Sequence, residues 1–246
     1  MMFTPSIRSR RAVAALLAVG VLGATAAGGM AASQNAPAQT PKAVQAAAAK
    51  STVPKPLTRA ETAAEDVIGF LETGKPAKSK AEARILRTLA HGRAADALRR
   101  AGVPEAQIKA FQQRADRTQK LSLANARGLQ VSLAANSVSR LMPDFYARYQ
   151  DPVPAAVLKL DYLDREVHLR SQAGHHARVD RTVRQLEATW QRVRPQLVKA
   201  DGTKVATAYD QHVNALKHGG TAAATQRQAV HGLDLVDQME GVFLGK

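Results

Sequence analysis

The chain has 246 residues, 45% of them apolar and only 4% aromatic, and its 35 lysines and arginines against 20 aspartates and glutamates give a net charge of +15. So few rings with so much alanine favour closely packed helices over a β-sandwich built on Tyr, Phe and Val. There is no cysteine, which excludes disulfides, thiolate zinc sites, c-type haem attachment, cysteine nucleophiles and a lipid-modified cysteine anchor.

Arg8, Arg10 and Arg11 precede an uncharged Ala/Leu/Val/Gly run at residues 12–23, followed by Ala24-Thr25-Ala26. Charge, greasy core and small-x-small site in that order predict a secretory signal peptide over residues 1–26. The run is shorter than the ~20 apolar residues of a membrane span, so the mature chain is expected to be secreted, with no transmembrane span. Ser9-Arg10-Arg11 also loosely matches the twin-arginine export motif, with Val13 and Ala14 where bulkier residues are usual. Residues 27–57, made of Ala, Pro, Gln, Lys, Ser and Thr with scarcely a large apolar side chain, do not offset the entropy of ordering and are expected to form a disordered tether.

Thr58-Arg59-Ala60-Glu61 has the spacing of a capping box and predicts a first helix to about Thr73, stopped by Gly74. Ser79-Lys80-Ala81-Glu82 repeats the pattern and starts a second helix carrying Ile85, Leu86 and Leu89, interrupted at His91-Gly92. Gly102 and Pro104 close one helix and open the next, buried through Ile108 and Phe111. Val131, Ala134, Val138, Leu141, Phe145 and Tyr149 then recur at threes and fours, predicting one long helix bent at Pro143.

After the corner at Pro152 and Pro154, the helix over residues 153–172 has two apolar arcs: Val153, Val157, Leu160, Leu163 and Val167 on one, Leu158, Tyr162 and Leu169 on the other. Asp161, Arg165 and His168 fall in the wedge between them, Asp164 falls inside the first arc, and Lys159, Glu166 and Arg170 take the solvent side. Val179, Val183, Leu186, Trp190, Val193 and Leu197 form the most regular seam of the chain, with Pro195 bending its last turn. Val205, Tyr209, His212 and Leu216 mark a shorter helix. A last one, over residues 222–243, carries Ala229, Val230, Leu233, Val236, Met239 and Phe243 on an arc that also holds Asp237 and Glu240.

The expectation is an all-α fold: residues 58–119 as short basic helices and residues 120–246 as an up-and-down antiparallel bundle of four to five helices, since the connections are short. Residues 75–130 hold 13 basic and 4 acidic side chains, +9 of the +15. Lys75, Lys78, Lys80, Arg84, Arg87, Arg99, Arg100, Arg114, Arg117 and Lys120 are therefore the candidate anion-binding surface, set against the alternative of an evenly solvated face. For an exported protein the abundant polyanions are cell-wall polymers and lipid headgroups. Nucleic acid is not expected there, although the turn at residues 101–105 loosely suggests a helix-turn-helix.

Unpaired burial of the inward polar groups would be expensive. One reading is structural: Arg165 pairs with Asp161 one turn back and with Asp237 or Glu240 across the bundle. The other has Asp161, His168, Asp237 and Glu240 converge on a divalent metal, against which the charge of Arg165 argues; no metal ligand is assigned and no cofactor is expected. Met142 with a histidine could ligate b-type haem, but His91, His175, His176, His212, His218 and His231 read as solvated positions. The chain has no glycine-rich phosphate loop, Gly-x-Ser-x-Gly, His-Glu-x-x-His or Glu-x-x-His motif. A non-enzymatic binding or interaction protein is thus expected ahead of a metal- or haem-binding bundle or an enzyme of unknown class.

Pro154, Leu160-Asp161-Tyr162-Leu163, Arg165-Glu166, Trp190 and Val236-Asp237-x-x-Glu240 resemble a recurring signature of exported helical-bundle proteins of Gram-positive bacteria that have no assigned function. The resemblance covers roughly the C-terminal half; it implies a secreted helical domain and no activity. A likeness to imelysin-type exported bundles is confined to architecture, because their histidine-and-glutamate motif has no counterpart here.

Overall fold

A computed structural model describes residues 51–246, which are all-α. The expected signal peptide, and the part of the expected tether up to residue 50, lie outside the described residues. The helices are α1 Lys55–Glu72, α2 Pro76–His91, α3 Arg93–Arg100, α4 Glu105–Leu123, α5 Gly128–Ser139, α6 Met142–Tyr146, α7 Ala155–Gln172, α8 His176–Lys199, α9 Thr203–His218 and α10 Ala222–Phe243. No strand forms among the described residues; Thr52 and Gln150 make one isolated bridge that ties the start of α1 to the corner after α6.

Three boundaries differ from the sequence expectation. Helix starts before the expected boundary at residue 57: Pro54 is the N-cap of α1, and Leu57 is fully buried in the core. Thr58-Arg59-Ala60-Glu61 therefore sits inside the helix, where Glu61 accepts from the Tyr146 hydroxyl instead of capping. Ser79, expected to cap α2, lies within it and donates to the Val67 carbonyl, 2.9 Å away, tying α2 to α1; Pro76 opens that helix. The long helix over residues 131–149 is broken rather than bent. Pro143 has no N–H to continue the ladder and its ring opposes the carbonyl four residues back, which is Ser139, the last residue of α5.

The division at residue 119 does not separate two bodies. α4 runs through it to Leu123, and the described residues, 51–246, fall in one compact unit. Within that unit α1 packs on α2 and α5, α4 on α2 and α5, α5 and α6 on α7, α7 on α8 and α10, and α9 on α8 and α10. Trp190 is 1% exposed, packed against Tyr209 with the rings tilted by 49° and their centroids 4.6 Å apart, and its Nε1 donates to Asp210. The regular seam of α8 is thus a core seam, as its spacing predicts.

Candidate functional site

α7 carries both arcs expected of it, and its polar residues enter two separate buried clusters. In the first, the Arg165 guanidinium, 2% exposed, donates from Nη2 to Asp161 at 2.9 Å and to Glu65 of α1 at 3.3 Å. Asp161 is the partner expected one turn back. The partner across the core is Glu65, not Asp237 or Glu240; on α10 Asp237 is exposed and Glu240 half-buried, because Leu235, Val236 and Met239 turn the apolar face elsewhere. Burial disfavours the guanidinium charge, yet Asp161, Glu65 and Glu61 outweigh it and hold the Arg165 pKa above its ordinary value. Arg165 Nε and Nη1 are buried with no acceptor.

The second cluster was not legible as a site. Asp164 of α7 is fully buried; its Oδ2 accepts from the Tyr209 hydroxyl at 2.7 Å, and its Oδ1 stands 2.8 Å from His212 Nε2. Gln228 Nε2 lies 3.1 Å from His212 Nδ1. With the amide donating to Nδ1, the imidazole carries its proton on Nε2 and gives it to Asp164, so each member has a partner. Gly232 of α10 makes room: a Cβ there would lie 2.5 Å from Asp164 Oδ1 and 2.6 Å from His212 Cε1. His212 belongs to this interior, 1% exposed, and corrects the expectation of a solvated position.

His168, the third residue of the wedge, is separate from both. Its Nε2 lies 3.3 Å from Glu72 and 3.0 Å from Gln172 Nε2, and its Nδ1 lies 3.4 Å from the Gln226 carbonyl. The convergence of Asp161, His168, Asp237 and Glu240 therefore does not occur, and among the described residues no three His, Asp or Glu side chains form a metal-ligand set.

Comparison with protein-family models, with curated proteins and with solved structures finds no match for this chain.

The basic segment forms an exposed surface on α2, α3 and α4. Arg87 Nε and His91 Nε2 both meet Asp116 Oδ1, at 2.8 and 2.9 Å, and Lys80 Nζ meets Asn125 Oδ1 at 2.6 Å. α2 and α4 thus run in opposite directions with fixed register. Arg99 is matched by Asp96 and Glu105, Arg114 donates to the Ser137 carbonyl, and Lys78 lies over the Phe70 ring. Lys75, Arg84, Arg100, Arg117 and Lys120 are exposed, and their side chains make no hydrogen bond or ion pair among the described residues. Lys120 also lines an open groove of about 590 Å³, together with Arg87, Asp116, Gln119, Leu123 and Ala124. Ile85 is 36% and Leu123 46% exposed, large apolar side chains on the same two helices.

The phenols carry a pH expectation. Burial, followed by the Glu166 charge, pushes Tyr162 up to about 12, and burial with the Asp164 charge raises Tyr209 well above its ordinary value. Both hold their protons in the folded chain while an unfolded phenol ionises near 10. The Tyr162 contribution to stability is whole below about pH 10 and is lost as pH rises through about 12, and that of Tyr209 has the same sign. Ultraviolet titration of the folded chain should leave at least two of the four tyrosines protonated at about pH 11; four phenolates there in a still-helical protein would contradict it.

Proposed function

We propose that the chain is an exported, non-enzymatic binding protein that associates with anionic cell-wall polymers through the surface of α2, α3 and α4. In this reading the long helices are an up-and-down scaffold, and the small basic helical segment is its contact surface. The observation that carries the reading is the placement of Arg84 and Lys120. Arg84 shares an α2 stripe with Lys80 and Arg87, one turn from each, and Lys120 is one turn beyond Asp116 on α4. Both therefore lie between the two pinned ends of the helix pair, Lys80–Asn125 and Arg87–Asp116, and neither has an anionic partner.

Free cations held in fixed register, one of them lining an open groove, suit an extended polyanion lying across the surface, whereas a small-molecule site encloses most of its ligand. Ile85 and Leu123 offer apolar contact to the carbon backbone of such a polymer. Buried Asp164 and His212 are occupied with one another, and Arg165 with Asp161 and Glu65, which favours a structural role for both clusters.

The test is co-sedimentation with isolated cell walls and, separately, with anionic vesicles, comparing wild type with Arg84→Gln/Lys120→Gln and with Arg181→Gln/Arg184→Gln, which removes the same charge from the exposed face of α8. Wall binding that weakens with the first pair and not the second supports the reading. Equal loss with both pairs would reduce the interaction to net charge, and binding to vesicles alone would replace the polymer by a lipid surface.

A further inference from the structure

The seam where α4, α5 and α7 meet holds a second positive cluster that the α2–α4 groove does not use. Arg114 of α4 is half-buried, and its Nη1 donates to the Ser137 carbonyl at 2.6 Å. Arg140, one turn beyond Ser137 at the end of α5, is exposed and has no carboxylate partner. The two cations feel one another: burial first, and then the Arg140 charge, lower the Arg114 pKa.

From the other side α7 presents Tyr162, Glu166 and Arg170 at successive turns. The Asn136–Glu166 hydrogen bond holds α5 against α7, with Arg140 one turn beyond Asn136 and Tyr162 one turn before Glu166; the phenol accordingly feels the Arg114, Arg140 and Arg170 charges, and its hydroxyl has no hydrogen-bond partner among the described residues. Glu166 is the carboxylate of this seam, and it is committed: it accepts from Arg170 Nε at 2.7 Å and from Asn136 Nδ2 at 2.9 Å. Arg114 and Arg140 are left as neighbouring like charges, next to a phenol with a free donor. Such an arrangement is unfavourable in isolation and favourable around an anion, which draws charge-assisted hydrogen bonds from both guanidinium forks and one from the phenol.

We propose that Arg114, Arg140 and Tyr162 form a binding site for a single tetrahedral oxyanion of the phosphate class, either free phosphate or a phosphate ester. No residue of α2 takes part, so this site stands or falls separately from the groove.

The experiment is calorimetric titration of the purified chain with inorganic phosphate, methyl phosphate and dimethyl phosphate, at ionic strength held constant with sodium chloride. Saturable one-site binding is expected, with a matching rise in melting temperature. Arg140→Gln, at an exposed position that should leave the helical spectrum unchanged, is expected to weaken it by about tenfold or more, and Tyr162→Phe by about threefold. Arg84→Gln/Lys120→Gln should bind phosphate like wild type even if it no longer binds walls. Dimethyl phosphate binding as well as phosphate assigns the ligand to the interior of a phosphodiester polymer; preference for phosphate or methyl phosphate assigns it to free or terminal groups; either upholds the site. No saturable binding of any of the three, or the same affinity in Arg140→Gln as in wild type, overturns it.

Discussion

Arg165→Met is expected to destabilise the fold by about 3–5 kcal/mol, because it removes one partner from a buried charge cluster and leaves the others in place. Methionine keeps most of the volume, so the loss reads the charge and not a cavity. Arg165 is 2% exposed and is the cation that Asp161 and Glu65 share; without it two carboxylates on α7 and α1 face one another across the core. Glu65→Gln in the Arg165→Met background removes one of those charges and should restore part of the stability, so the double variant should be less destabilised than the sum of the singles. Chemical denaturation of wild type, the two single variants and the double variant measures this. An Arg165→Met midpoint equal to wild type would mean that the cluster does not hold α1 to α7.

The second large effect is at Asp164. Asp164→Ala deprives both the Tyr209 hydroxyl and the His212 Nε2 proton of their acceptor in a region closed to water, and it opens a void between α7, α9 and α10. Two buried donors left unsatisfied, with the loss of the charge-assisted bonds, put the expected cost at about 3–5 kcal/mol. Asp164→Asn should be milder, since its amide oxygen still accepts from one of the two. The Asp164 charge is also one cause of the high Tyr209 pKa, so Tyr209 should ionise at lower pH in either variant than in wild type. A fully helical Asp164→Ala protein that melts like wild type would refute a cohesive role for this cluster.

Much of this was legible along single helices and little of it between them. The pairing of Asp161 with Arg165 follows from four-residue spacing, and the burial of Trp190 from its seam. Glu65 was missed because Thr58-Arg59-Ala60-Glu61 reads as the start of a helix. Once Pro54 starts it instead, Glu61 and Glu65 lie one turn apart among Leu57, Ala60, Ala64 and Ile68, a carboxylate pair on an apolar face that requires a partner. The Asp164 cluster left half-clues on two helices: an aspartate inside an apolar arc of α7, and Tyr209 with His212 on the stripe of α9. Each implies a missing partner, but nothing in the sequence says which helices pack. Pro143 disrupts the helix as its missing N–H predicts, and whether a proline bends or breaks a helix depends on the packing of both halves. Within the basic segment the net charge is legible from composition, but which cations Asp96, Glu105 and Asp116 neutralise and which stay free depends on how α2, α3 and α4 pack.

The central claim, that the free cations of the α2–α4 surface bind an anionic wall polymer, is tested most directly by the salt dependence of that binding. Each cation that displaces a condensed counterion contributes about 0.7–0.9 to the slope of log affinity against log salt for a linear polyanion. The affinity of the chain for purified wall polymer should therefore fall linearly on that plot, and Arg84→Gln/Lys120→Gln should flatten the slope by roughly 1.5, while Arg181→Gln/Arg184→Gln leaves it unchanged. A slope that is the same in wild type and Arg84→Gln/Lys120→Gln would contradict the account.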